Sequence, residues 1–179
     1  MKRNIPFWQM VGFVFAGVLG TLLHFLFDWT ESNIIAALFS AVNESIWEHT
    51  KLLYYPMVLY AVVEYIVWGR ETDGFWYMKL LGILTGLIWI PVLYYTYTGI
   101  LGVSADWFNI TIFFIAAAVT FYFETRLFEK KIWCPLPRWL PVVVILLLSV
   151  VYTALTFWPP TIPFFQDPVT GTYGFYQSL

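Results

Sequence analysis

Long apolar runs alternate with short polar groups along this chain. Runs of about 20 residues cover 7–27, 52–69, 75–95, 107–128 and 140–158, the length an α-helix needs to cross a hydrocarbon core of about 30 Å. A shorter apolar stretch, Ile34 to Val42, lies between the first two and is too short to span. The breaks carry cap and turn residues: Asp28 to Asn33, Gly69 to Gly74, and the proline-broken Glu129 to Arg138. Pro56 and Pro91 fall inside the second and third runs and predict kinks there. Ala16 with Gly20, and Gly82 with Gly86, predict close helix contacts. The tail, 159–179, is rich in proline and turn residues and reads as an ordered segment without a helix.

Residues 33–69 do not fit a simple span. As one helix they would extend about 55 Å at 1.5 Å per residue, well beyond the membrane core. Charge decides how the segment runs. If 33–51 dips into the membrane and returns, eight of the nine cations fall on the side of the N-terminus: Lys2, Arg3, Arg70, Lys79, Arg126, Lys130, Lys131 and Arg138. If it crosses fully, those after residue 69 move to the opposite side from Lys2 and Arg3. The excess of basic residues on cytoplasmic loops selects the first arrangement. The expected fold is therefore an all-α integral membrane protein, a single membrane domain over 1–179. It has five transmembrane helices, a re-entrant half-helix over 33–51, a cytoplasmic N-terminus and an extracytoplasmic tail.

Composition agrees. The chain is 60% hydrophobic, 22% aromatic and 11% charged, with a mean hydropathy of +0.73; a soluble domain carries about 25% charged residues. A net charge of −2 without a basic patch gives no reason to expect nucleic acid, and a single Cys134 excludes an internal disulfide. Residues Phe7 to Phe27 outrun a signal-peptide core and read as a retained first span.

Against this background Asn43-Glu44-Ser45-Ile46-Trp47-Glu48-His49-Thr50-Lys51 stands out, because ionisable groups at membrane depth are costly and mark functional sites. Continued as a helix, the segment puts Glu44, Glu48, Lys51 and Tyr55 on one stripe, with Ser45 and His49 on another. Glu44, Glu48, His49 and Lys51 are the catalytic candidates. Asn43, Ser45, Trp47, Asp28 and Asp106 are candidates for contacting a substrate. His24, Glu48 and His49 offer ligands for a divalent metal such as zinc, iron or manganese. The plainer readings are a Glu48–Lys51 bridge at i,i+3, histidines that merely hydrogen-bond, and Asn43 as a helix cap. Ser45 with His49 at i+4 is a poor nucleophile and base, since one helix face seldom gives in-line geometry. Glu64, in mid-span, reads as a proton-relay step or as a partner for a tyrosine or Lys79, and Glu124 lies near the inner end of its run. The tail reads as a lid over the outer mouth.

His24, the Asn43-Glu44-Ser45…Glu48-His49…Lys51 cluster and the tail from Pro159-Pro160 to Tyr173-Gly174 resemble those of a small bacterial polytopic membrane protein family of unknown function. The resemblance covers nearly the whole chain. It implies a bacterial cytoplasmic (inner) membrane location and brings no activity with it. Two functions remain open from the residues. One is a metal-assisted hydrolase acting on a lipid or lipid-linked substrate. The other is a transporter or binding protein for a cation or small polar molecule, which with five spans and no internal repeat would work as a homo-oligomer. Membrane lipid is the common partner.

Overall fold

The computed structural model describes residues 4–175, and every long element in it is a helix: α1 (Ile5–Trp29), α2 (Ile34–Ala37), α3 (Ile46–Val67), α4 (Phe75–Leu101), α5 (Asp106–Lys130) and α6 (Trp139–Phe157). Lys2 and Arg3, on which part of the charge argument rests, and the tail beyond residue 175 lie outside the described residues. Single-turn 3₁₀ helices follow α3 at Gly69–Glu71 and α6 at Pro163–Phe165. Four helices, α1, α4, α5 and α6, are long and apolar enough to cross a membrane. Only 22% to 39% of each apolar window is buried. Most side chains there point outward, as a lipid-facing helix requires.

The long helices alternate in direction. Gln9 of α1 meets Glu64 of α3 while His24 meets His49, so these two run antiparallel. Lys79 of α4 meets Glu64 and Glu124, and Thr50 and Tyr54 of α3 meet Tyr152 and Ser149 of α6. α3 thus lies among α1, α4 and α6, and is buried over most of its length. It matches its neighbours in length, but Glu48, Lys51 and Glu64 lower its hydropathy. All three are fully shielded by those neighbours. Both internal prolines sit within continuous helices, Pro56 in α3 and Pro91 in α4.

Two glycines let helices approach closely. A Cβ on Gly20 would lie 2.5 Å from the Leu52 carbonyl oxygen of α3, and one on Gly82 would collide with the Glu124 carboxylate of α5.

The segment 33–51 differs from the single half-helix its pattern predicts. Asn33 caps the four-residue α2 through its side chain, accepting from the Ile35 amide at 2.8 Å. Turns follow, and α3 begins only at Ile46. The reason is Ser45, which adopts an extended conformation and caps α3 by accepting from the Glu48 amide at 3.3 Å. Residues 46–51 therefore belong to the long helix, and 38–45 are loop. The segment from Thr30 to Ser45 starts and ends at the same end of the bundle, since α1 and α3 are antiparallel. Lys79, counted among the flanking cations and also read as a partner for Glu64, is fully buried in the first turns of α4.

Candidate metal centre and the buried charges

The cap at Ser45 redistributes the polar cluster. Asn43 Oδ1 accepts from the Ser45 amide at 2.9 Å, folding the chain tightly into the helix. Glu44 therefore precedes α3 and does not share a helical stripe with Glu48 and Lys51. Its half-exposed carboxylate turns toward the two histidines instead. His49 Nε2 lies 3.4 Å from Glu44 Oε2, and His24 Nε2, from α1, lies 3.9 Å from Glu44 Oε1. The two imidazole centroids are 5.4 Å apart. Among the described residues this is the one group of three such side chains close enough to share an ion, with all ligand atoms within 4.8 Å of one another. Ligands on adjacent corners of a tetrahedron with bonds of about 2.0–2.1 Å are about 3.3–3.4 Å apart; the His49–Glu44 spacing of 3.4 Å falls in that range, and the His24–Glu44 spacing of 3.9 Å exceeds it.

The second nitrogen of His49 is held by the backbone. Nδ1 lies 2.9 Å from the Ser45 carbonyl oxygen, which can only accept, so Nδ1 carries the hydrogen. In the neutral ring Nε2 is then a lone pair facing a carboxylate oxygen, an arrangement that either a proton on Nε2 or a metal ion would satisfy. This is also the way metal-bound histidines are oriented by a carbonyl behind them.

Glu48, the metal ligand expected from spacing, is engaged elsewhere. It pairs with Lys51 at 2.6 Å, with both side chains buried. Glu48 also accepts from Thr156 Oγ1 at 2.9 Å and from the Val42 amide at 3.2 Å. Lys51 donates further to the Ala37 carbonyl at 2.9 Å and to Thr156 Oγ1 at 3.0 Å. Both groups are saturated, which accounts for Lys51 as a structural partner. The Ser45 hydroxyl is committed to its cap. Trp47 packs on Tyr152 of α6 and on Phe164 and Phe165 of the tail. Asn43 Nδ2 donates to the Gly174 carbonyl at 3.1 Å, tying the loop to the tail. Asp28 is exposed one helical turn beyond His24, and Asp106 is exposed in the first turn of α5. No ion pair among the described residues joins either to the histidines.

A second charged group lies toward the opposite end of the bundle. Lys79 Nζ donates to Glu64 Oε2 at 2.7 Å and to Glu124 Oε2 at 2.5 Å, and Gln9 Nε2 donates to Glu64 Oε1 at 2.9 Å. Sequence reasoning singles out Glu64 and Glu124 and names Lys79 as a partner. It misses Gln9 and Thr156, ordinary polar residues within apolar runs that carry no signal of their own. Between the Glu48–Lys51 pair and the Lys79 group, Leu53 and Met57 of α3, Ile83 of α4 and Ala116, Ala117 and Phe121 of α5 belong to one hydrophobic core.

Antiparallel apolar helices enclosing buried ion pairs, with polar ligands gathered at one end, define an all-helical protein of membrane type. The chain belongs to DUF6512, a family of unknown function, whose family model matches residues 1–175. Comparison with curated proteins and with solved structures finds no match.

Proposed function

We propose that this protein is a membrane-embedded metalloenzyme, a hydrolase of a lipid or lipid-linked substrate, with one divalent metal held by His24, Glu44 and His49. The observation that carries this reading is the spacing of those three side chains around a common point, with the His49 tautomer fixed from behind. Two histidines and one glutamate are a ligand set that leaves a metal an open position, unlike the closed four-ligand sets of structural sites. A metal bound there would lower the pKa of a coordinated water and polarise an ester oxygen. The side chains keep 26% to 48% exposure, so a substrate can reach the centre. The apolar flank beside it suits an acyl chain: Phe25 packs on His24 and stacks with Trp29, and both aromatics are exposed.

A transporter is less well supported, because apolar side chains of one core lie between the two charged groups. In this reading all five long helices, α3 included, cross the cytoplasmic membrane of a bacterium. The loop of residues 30–45 returns to the outer side, and the N-terminus is cytoplasmic. Exposed Arg70, Arg126, Lys130, Lys131 and Arg138 at the opposite end of the bundle support that orientation.

Elemental analysis tests the centre. Purified protein is expected to hold about one equivalent of zinc, iron or manganese, to melt lower with a chelator, and to lose the metal on His49→Ala. Metal-free protein indifferent to chelator sinks the hydrolase. Membrane-impermeant thiol labelling of intact cells tests the orientation. Val103→Cys in a Cys134→Ser background is expected to react from outside, and native Cys134 only after lysis; the reverse pattern inverts the topology.

A further inference from the structure

The inner group holds two carboxyls against one ammonium in full burial: Glu64, Lys79 and Glu124 are each 0% exposed. The two carboxyls are not equivalent. Both Glu64 oxygens are taken, Oε1 by the Gln9 amide and Oε2 by Lys79. Glu124 gives only Oε2 to Lys79, and its Oε1 is buried without a hydrogen-bond partner among the described residues. Gln9 Oε1 and Thr120 Oγ1 are likewise buried and unpartnered, and each can accept a hydrogen bond. A charged carboxylate oxygen left bare in an apolar interior is among the least favourable arrangements a protein can hold.

We infer that Glu64, Lys79 and Glu124 form a proton-binding site, in which one proton resides on Glu124 Oε1 and makes the group electrically neutral. The proton removes the charge from a buried carboxylate oxygen that no donor among the described residues reaches. A metal cation fits the same excess charge poorly. Lys79 Nζ already lies between the carboxyls and would repel a second cation at close range. The three unpartnered oxygens fall short of the six or more that a hard cation collects. The Glu124 side chain also fills the space over Gly82, leaving little room for an ion. A proton needs none.

Around the site the charged and titratable groups are few. The Tyr60 ring faces Lys79 at 5.8 Å, and its hydroxyl donates to the Trp8 carbonyl. Below the site, Trp68, Phe75, Met78, Leu127 and Phe128 form a separate apolar cluster, and the main core lies above. The proton is thus sealed in as a structural ligand joining α1, α3, α4 and α5, and is no step in a transmembrane relay.

Infrared difference spectroscopy of the full chain, wild type against Glu124→Gln, tests this. The wild type is expected to show the carbonyl stretch of a protonated carboxylic acid, shifted in deuterium oxide. Glu124→Gln should lack that band and unfold within a few degrees of the wild type, since a carboxamide reproduces the shape and the donor of a neutral acid. Glu64→Gln should also lose the band, because Glu124 then becomes the sole counter-ion of Lys79. A wild type without the band, or a band unchanged in Glu124→Gln, overturns the proposal. So does an unfolding temperature that rises with sodium in the wild type and not in Glu124→Gln, which would place a metal cation at the site.

Discussion

The outer pair, Glu48–Lys51, and the inner group, Glu64–Lys79–Glu124, solve one problem in two ways. Both bury charge completely in a bundle of apolar helices. The outer pair matches one acid with one base, and its leftover hydrogen-bonding capacity goes to the Ala37 carbonyl, the Val42 amide and Thr156. Two of those three partners are backbone groups, available because the chain around them is a frayed single turn and a loop. At the inner group the backbone is helical on every side, so its N–H and C=O groups are already committed. Only side chains remain there, and the balance is struck by a second carboxyl, a carboxamide and a proton. Broken backbone near a membrane's edge therefore acts as a source of neutral hydrogen bonds, and continuous helix forces charges to be met by charges.

That contrast predicts unequal costs for the same chemical change. Lys79→Met should be the more damaging, because Glu64 keeps only the Gln9 amide. Removing one partner of a buried pair costs about 3–5 kcal/mol, and thermal unfolding in detergent should place this variant at or beyond the limit of folding. Lys51→Met should cost less, about 1–3 kcal/mol, because Glu48 retains donors in Thr156 and the Val42 amide. If the two variants unfold at the same temperature, backbone groups are not compensating at the outer site.

Much of the fold is legible in the sequence, since runs of about 20 apolar residues have few alternatives in a bilayer. The same clarity fails across 33–51. A helical stripe of Glu44, Glu48 and Lys51 requires a regular helix through residue 44, and the cap at Ser45 ends that regularity one residue later. Glu44 consequently leaves the stripe of Glu48 and Lys51 and faces the two histidines. Side-chain spacing also cannot reveal the Ala37 carbonyl or the Val42 amide, because every residue carries those groups. Lys79 reads both as a flanking cation and as a partner for Glu64 for a similar reason. It lies within five residues of its helix start, and only the packing of α3 and α5 decides that it faces inward.

The long separation between Glu48 and Thr156 has a consequence for biogenesis. Thr156 follows Glu48 by 108 residues, about 5–20 s of synthesis at 5–20 residues per second. During that interval Glu48 and Lys51 have each other but not α6, and Trp47 lacks both Tyr152 and the tail aromatics that cover it. The end of the bundle that holds Glu48 and Lys51 therefore stays unfinished until α6 is in place, which makes it the last part of the molecule to mature. A quality-control protease with access to that end would meet its substrate in that window, before the loop and the tail are joined through Asn43 and Gly174.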